Sequence, residues 1–425
     1  MKAVIIGSGW SGCAAALTAK KAGADVVMYE KTDMVLGLGN VGGIMRNNGR
    51  YTAAEEIIAL GAGDLINITD SVTRHKNINF PSHDHAWLYD VNKIEPIVRN
   101  YILSKKIKLN LISRIVDVEM RGTSIKGVYT SNGEYEEGDV FIETTGSTGP
   151  MGNCMKYGNG CSMCILRCPT FGPRISISSC AGVEDFHGER LDGNYGAFSG
   201  SCKLAKETLS KELVNKLEED GVIVLKVPKE DINLDKLKNK VCQQYALKEF
   251  AENIVLLDTG HVKLMTSYYP LDKLRKIPGL ENVKFIDPYS GGKGNSIRYL
   301  SVAPVSDDLK VNNVENLFCA GEKSGLFVGH TEAICTGSLA GHNAIRYALK
   351  MPTLILPKDT VIGDIISYAN YKIRTKEGRK NRYTFAGSEY FERMKKAGLY
   401  TINSLDIKNK ISSLGLSNIF NKSLI

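Results

Sequence analysis

Short apolar runs separated by glycines set the rhythm of the first thirty residues. Residues 2–6 (Lys-Ala-Val-Ile-Ile) predict a buried strand, and the alanine-rich stretch after them predicts a helix from about 11 to 22. Residues 25–29 (Asp-Val-Val-Met-Tyr) predict a second strand that ends at Glu30. This is the opening β-α-β unit of a doubly wound fold. A glycine-rich loop over 36–49 and a helix around 52–60 follow. The apolar spacing of Trp87, Leu88, Val91, Ile94, Ile97, Val98 and Ile102 predicts a largely helical stretch from Asp84 to Ser104, interrupted near Pro96.

From 107 to 142 the pattern shifts to short β-branched runs, with hairpin chemistry at Ser131-Asn132-Gly133 because Asn-Gly accepts positive φ. Residues 151–309 lose the β-α-β rhythm, and 313–346 regain it with an apolar strand at 317–320, a glycine turn and a helix from about Thr331. The last 75 residues read as mainly helical. The expected class is α/β: a Rossmann-like nucleotide-binding domain over 1–150 and 310–350, an inserted α+β substrate domain over 151–309, and a mainly helical, basic C-terminal segment over 351–425.

Composition adds charge and cysteine to this picture. The chain has 425 residues and a formal net charge of +8, and 351–425 holds 13 Lys/Arg against 6 Asp/Glu. A basic segment on a neutral body suits a helical cap with a solvated face, or contact with RNA or an acidic partner. No run of about 18 apolar residues occurs, so no membrane span is expected, and the strand at the start leaves no room for a signal peptide. Ten cysteines, four of them bunched, favour a reducing cytoplasm over structural disulfides.

Gly7-Ser8-Gly9-Trp10-Ser11-Gly12 matches G-x-G-x-x-G between a strand and a helix. Pyrophosphate is expected at the helix N-terminus, and Glu30, 18 residues beyond Gly12, is expected on the adenosine ribose. The second strand-turn-helix at 317–341 and the Thr144-Thr145-Gly146 turn suit a long FAD rather than NAD. In sequence these pieces resemble the FAD-dependent oxidoreductases of the glutathione-reductase-like superfamily. Val4–Cys13, the Ile-Pro-Gly-Leu-Glu-Asn run at 277–282 and Leu317–Glu322 are most similar to the branch containing GidA and the folate-dependent tRNA uracil methyltransferases. The resemblance implies FAD contacts at Gly7, Gly9, Gly12, Glu30, Gly321 and Glu322; Gly146 is added from the middle turn.

The cysteine window has no counterpart in that branch. Cys154, Cys161, Cys164 and Cys168, followed by Pro169, come within one stretched gap of a [4Fe–4S] run. Zinc and free redox thiols are the alternatives, with Cys180 or Cys202 as substitutes in the quartet. Candidate catalytic residues are His330, Lys293 and Arg174, with Arg298 a further cation for the flavin. His83 and His85 flank Asp84 and read as a polar helix start. The leading expectation is an FAD oxidoreductase whose cluster relays electrons to a partner. A flavin-dependent tRNA- or RNA-modifying enzyme and a non-enzymatic redox sensor are the alternatives. Expected partners are a small-molecule substrate and an electron-transfer protein or nicotinamide donor. RNA is not favoured, and a homodimer is an open arrangement.

Overall fold

The apolar strands close into a parallel sheet in which four of the five are largely buried and the edge strand Lys108–Asn110 is partly exposed. In the computed structural model, which describes residues 1–147, 168–199, 201–267, 269–286 and 297–425, five parallel strands lie side by side. Their order is Leu317–Cys319, Val140–Glu143, Lys2–Ile6, Asp25–Tyr29, Lys108–Asn110. The glycine turn therefore emerges at the carboxyl ends of neighbouring parallel strands, where open α/β sheets bind ligands.

Among the described residues, three antiparallel sheets of three or four strands accompany this one, together with two two-stranded pairings. Ile115–Arg121, Ser124–Thr130 and Tyr135–Glu137 form a meander, and its tight turn uses Gly133 at φ +83° as the Asn-Gly pair predicts. A second sheet orders Ile44–Arg46, His83–Tyr89 and Thr73–Phe80. The third orders Cys202–Leu204, Val262–Leu264, Asn253–Asp258 and Val222–Lys226, and has its own core of Leu217, Ile254, Leu256 and Leu264. Ile44 and Leu88 of the second sheet pack with Phe250, Val255 and Met265 of the third.

The largely helical stretch expected over 84–104, with a break near Pro96, is instead a strand, His83–Tyr89, and a helix, Ile94–Ser104, that runs through Pro96. His83, Ala86, Leu88 and Tyr89 are buried while Asp84 is exposed, and the segment pairs on both edges. Strand pairing, which no local pattern encodes, overrides the helical spacing. Pro96 is the third residue of the helix, where an N–H has no intrahelical acceptor to lose. His83 is accordingly no helix start. It is buried in the strand, its ring bonded to Asn47 and to the Gln244 carbonyl, and burial pushes it down to about 3.

The helix Trp10–Lys21 is clamped between the sheet and a long helix, His330–Ala348. A Cβ on Gly337 would lie 2.2 Å from the Ser11 carbonyl oxygen, and one on Gly341 2.3 Å from that of Ala15. Glycine at both positions is what lets the two backbones touch. The mainly helical C-terminal segment is then locked on by charge. Arg50 donates through Nε to Glu332, 3.1 and 3.0 Å from its two oxygens, and through Nη2 to the Val328 carbonyl; Glu332 also accepts from Thr384 and the Phe385 N–H.

Arg50 and Glu332 are 3% and 0% exposed at the side chain, so removing one partner strands the other charge in the interior. Arg50→Met should cost about 3–5 kcal/mol in denaturant unfolding. The double change Arg50→Met with Glu332→Gln should recover part of that loss; no recovery would mean that the ion pair is not the source.

Candidate functional site

The glycine fingerprint divides its work visibly. Gly7 sits at φ +100°, and a Cβ there would lie 2.5 Å from the Thr144 carbonyl oxygen. One on Gly12 would lie 2.0 Å from the Gly7 carbonyl oxygen. Thr144 Oγ1 closes the knot by donating to the carbonyls of Ile6 (3.0 Å) and Gly7 (2.7 Å). Gly9 differs: it is extended (φ −62°, ψ −177°), and a Cβ would meet nothing within 4 Å. Its open side faces a cleft at the N-terminus of Trp10–Lys21, which is where backbone N–H groups and the helix dipole accept an anion.

Glu30 lies on the cleft wall at the end of the second strand. One oxygen accepts from the Ser8 N–H and hydroxyl at 2.8 and 3.0 Å, the other from the Thr32 N–H and hydroxyl at 2.9 and 3.0 Å. A carboxylate offers about four lone-pair positions. The two rotatable hydroxyls are thus the donors that a sugar diol would replace.

The middle crossing is braced from below. Glu143, fully buried, accepts from the N–H groups of Ile177 (2.9 Å) and Ser178 (2.8 Å) and from the Thr145 hydroxyl, tying residues 173–180 to the sheet. Arg174 donates to the carbonyls of Gly146 and Ser301. Lys323, also fully buried, donates to Ser176 and Asp185. Burial by itself would raise Asp185, yet the Lys323 charge and hydrogen bond hold its carboxyl down at about 2. Arg174 therefore holds backbone, and its geometry is that of a positioning residue.

Further cations line the same cleft. Lys240 donates to the Ser199 carbonyl at 2.6 Å, and Lys263 to those of Val41 and Gly42 at 2.7 and 2.6 Å. Arg298 pairs with Glu322, which also accepts from Ser147. Cys242, Gln244 and Tyr245 complete this lining. His330 closes the end of the cleft at the start of the long helix, half-buried and 5.9 Å from Trp10 between ring centroids. The Tyr89 hydroxyl donates its one proton to the Gly39 carbonyl at 2.6 Å, so His330 Nδ1, 3.2 Å from that hydroxyl, carries a proton and donates. Burial and then the charges of Arg50, Lys263 and Arg298 push the imidazole well below its usual range. Its Nε2 is an acceptor on a neutral ring.

Gly7, Gly9, Glu30, Gly146, Glu322, Arg174, Arg298 and His330 thus line one cleft, with Gly12 and Gly321 supporting it from the turns. Lys293, Cys154, Cys161 and Cys164 lie outside the described residues. Cys168 is described and opens a four-residue helix, Cys168–Phe171. Among the described residues no group of three or more His, Cys, Asp or Glu is arranged to hold a metal ion. Cys180 and Cys202 sit in separate elements, Ile177–Cys180 and Cys202–Leu204. Sequence reasoning missed Lys240, Cys242, Gln244 and Lys263. They fall in a region without motif: Lys263 lies on the third sheet, while Lys240, Cys242 and Gln244 lie on and beside the short turns Asp235–Asn239 and Gln243–Tyr245, where Lys240 bridges Phe198.

A family model described as "Glucose inhibited division protein A" matches residues 2–255 and 252–352. The tRNA uridine 5-carboxymethylaminomethyl modification enzyme MnmG of Clostridium novyi (strain NT) is 25% identical, over 85% of this chain and 64% of that protein. The chain thus spans just under two thirds of the length of that curated relative. The methylenetetrahydrofolate–tRNA-(uracil-5-)-methyltransferase TrmFO of Desulfitobacterium hafniense (strain Y51) is 36% identical over 90 residues, 21% of this chain and 20% of that one. GidA of Aquifex aeolicus, in its form II crystal, superposes with a TM-score of 0.69 at 17% identity, over 99% of this chain and 74% of that one. The shared architecture extends into the C-terminal segment, beyond the family match.

The glycines separate folding from binding. Gly9→Ala enters open space at a backbone angle that alanine accepts, so the melting temperature of the flavin-free protein should hold while co-purifying flavin falls. Gly12→Ala should destabilise the flavin-free fold itself by about 2 kcal/mol or more, since its Cβ has nowhere to go. Equal flavin retention by wild type and Gly9→Ala would show that the open side is not a cofactor cradle.

Proposed function

The chain belongs to the glucose inhibited division protein A family, and on that footing we propose that it is a flavin-dependent enzyme that modifies uridine in RNA, with tRNA as the substrate class. This reverses the order of the readings drawn from sequence, where an electron relay led. Both named relatives act on tRNA by their names, and the fold is that of GidA. The observation that carries the reading is the cleft. Its lining joins a glycine cradle with nothing in front of Gly9 to Cys242, Gln244 and the cations Lys240, Lys263 and Arg298.

The donor set fits FAD. The Gly7–Gly12 turn and the N-terminus of Trp10–Lys21 would hold its pyrophosphate, Glu30 its adenosine ribose, Gly146 the adjoining backbone edge, and Gly321 and Glu322 the ribityl end. Bound there, FAD would supply reversible two-electron chemistry. The chain's own residues do the rest. His330 presents an acceptor, Arg298 and Glu322 hold opposite charges at the cofactor's middle, and Lys263 pins the loop at 41–42. Cys242, half-buried, is the described cysteine that lines the cleft, and a thiol there is placed to add to an electron-poor ring carbon.

RNA contact draws further support from the basic C-terminal segment. Tyr371 is 71% exposed there, with Arg374 and Lys376 exposed beside it, a pairing of stacking surface and charge that suits single-stranded nucleic acid. The [4Fe–4S] reading rests on cysteine spacing alone, and iron and sulfide assays on anaerobically purified protein decide it.

The decisive measurement compares nucleosides of tRNA from cells with and without the gene by mass spectrometry. A uridine derivative lost on deletion, restored by the wild-type gene and not by Cys242→Ser, is the expected outcome. Purified protein should carry flavin and bind tRNA with an affinity that falls steeply with salt. Unchanged tRNA nucleosides together with flavin-free protein would sink the proposal.

A further inference from the structure

Outside the cleft, one turn gathers three aromatic rings at the surface. The run 297–302 pairs twice, Ile297–Arg298 with Ala197–Phe198 and Ser301–Val302 with Phe186–His187. Successive side chains of an extended run point opposite ways. Arg298 lines the cleft, whereas Tyr299, next in the chain, meets His187 and Tyr195, with ring centroids 5.6 and 6.1 Å away. His187 and Tyr195 are themselves 6.2 Å apart. Both are exposed, Tyr195 by 41%, and Tyr299 is half-buried.

The turn that presents these rings is already tied. Asp192 accepts from Arg190 Nε and from the Asn194 N–H, each at 3.0 Å, and the Arg190 N–H donates to the Asn194 carbonyl at 2.7 Å. Gly193, at φ +81°, makes the reversal, and Tyr195 follows it closely. At the other end the Gly188 N–H donates to the Leu300 carbonyl at 2.8 Å. Rings held in this way lose little freedom when something stacks on them. Exposed rings scattered singly are ordinary, but a cluster on a tied turn marks an interaction surface.

The same turn is bonded to the basic segment. The Glu189 N–H donates to the Arg379 carbonyl at 2.9 Å, and Arg382 Nη2 donates to the Glu189 carbonyl at 2.6 Å. The Arg379 guanidinium lies 4.6 Å over the ring of Phe186, the neighbour of His187. Residues 372–382 hold six Lys and Arg against one carboxylate, Glu377, and Arg374 and Lys376 are exposed. Positive charge beside aromatic faces is the combination that holds a single strand, phosphates on the cations and bases on the rings. Paired bases in a duplex offer no open face to such a cluster.

We propose that His187, Tyr195 and Tyr299 form a stacking platform for unpaired bases of an RNA strand, on the outer side of the wall that carries Arg298 into the cleft. The platform rests on reading the protein as an RNA-modifying enzyme, and it names where the strand next to the reacting base is held. It is built on the turn 187–195 and is separate from Tyr371.

The test uses the flavin-loaded full chain and a fluorescein-labelled oligouridylate, with an RNA duplex for comparison, read by fluorescence anisotropy across a salt series. The single strand should bind more tightly than the duplex. Tyr195→Ala should weaken it about tenfold, the loss of one base–aromatic stack, and Tyr195→Phe should match wild type, because the ring and not the hydroxyl stacks. The salt slope should stay unchanged in Tyr195→Ala and become shallower in Arg374→Gln, since only the second removes a contact that releases counter-ions. Melting temperature and flavin content should hold in all three. Should Tyr195→Ala fold poorly, His187→Ala carries the same expectation. Wild type that binds the strand while Tyr195→Ala and His187→Ala equal it overturns the platform and leaves the function reading intact, as does preference for the duplex. Wild type that binds no RNA also overturns the platform, and the tRNA nucleoside comparison then decides the function reading by itself.

Discussion

Backbone meeting backbone around one helix is the constraint from which the rest follows. Trp10–Lys21 is held by the Gly12–Gly7 contact at its start and by Gly337 and Gly341 of the long helix along its side. Each contact leaves no room for a Cβ, so the helix start is fixed relative to the ends of two parallel strands. Because Thr144 bonds the same turn, the middle crossing inherits that position. The cleft is what remains in front of this knot. Gly9, where a Cβ would meet nothing within 4 Å, opens onto it from a scaffold held in place.

Charge serves both the structure and the site. Arg50 is buried with Glu332 and Lys323 with Asp185, each pair joining segments far apart in sequence, while Arg382 is buried on the backbone carbonyls of Arg379, Asn381 and Glu189. The cations of the cleft rest mostly on backbone carbonyls, which supply partial charge and no counter-ion. Such an arrangement keeps a lysine in place without satisfying it, and it depresses Lys240 and Lys263 toward neutrality. Position alone separates the two kinds, since nothing about an individual lysine in the chain reveals which it will be.

Much of the parallel sheet was legible in the chain. A strand buried on both faces reads as an unbroken apolar run, and the turn that must approach phosphate reads as glycine. The Asn-Gly hairpin was legible for the same local reason. The stretch from 84 to 104 was not, because Trp87 and Leu88 fit a helical stripe and a paired strand equally well until Thr73–Phe80 arrives alongside. Arg174, a candidate catalytic residue in the sequence, donates in the fold to the carbonyls of Gly146 and Ser301.

The sequence by itself determined the nucleotide fold and the family resemblance, because each motif that carries them lies within a short run of residues. Only the tertiary structure decided the rest of the cleft lining. Lys263 comes from a sheet whose order, Cys202–Leu204 beside Val262–Leu264 beside Asn253–Asp258, is set by long-range pairing, and Lys240, Cys242 and Gln244 come from turns outside it, with Lys240 bridged to Phe198. Charges brought together that way leave no periodic trace in the chain. They meet only once the sheet has folded against the glycine loop.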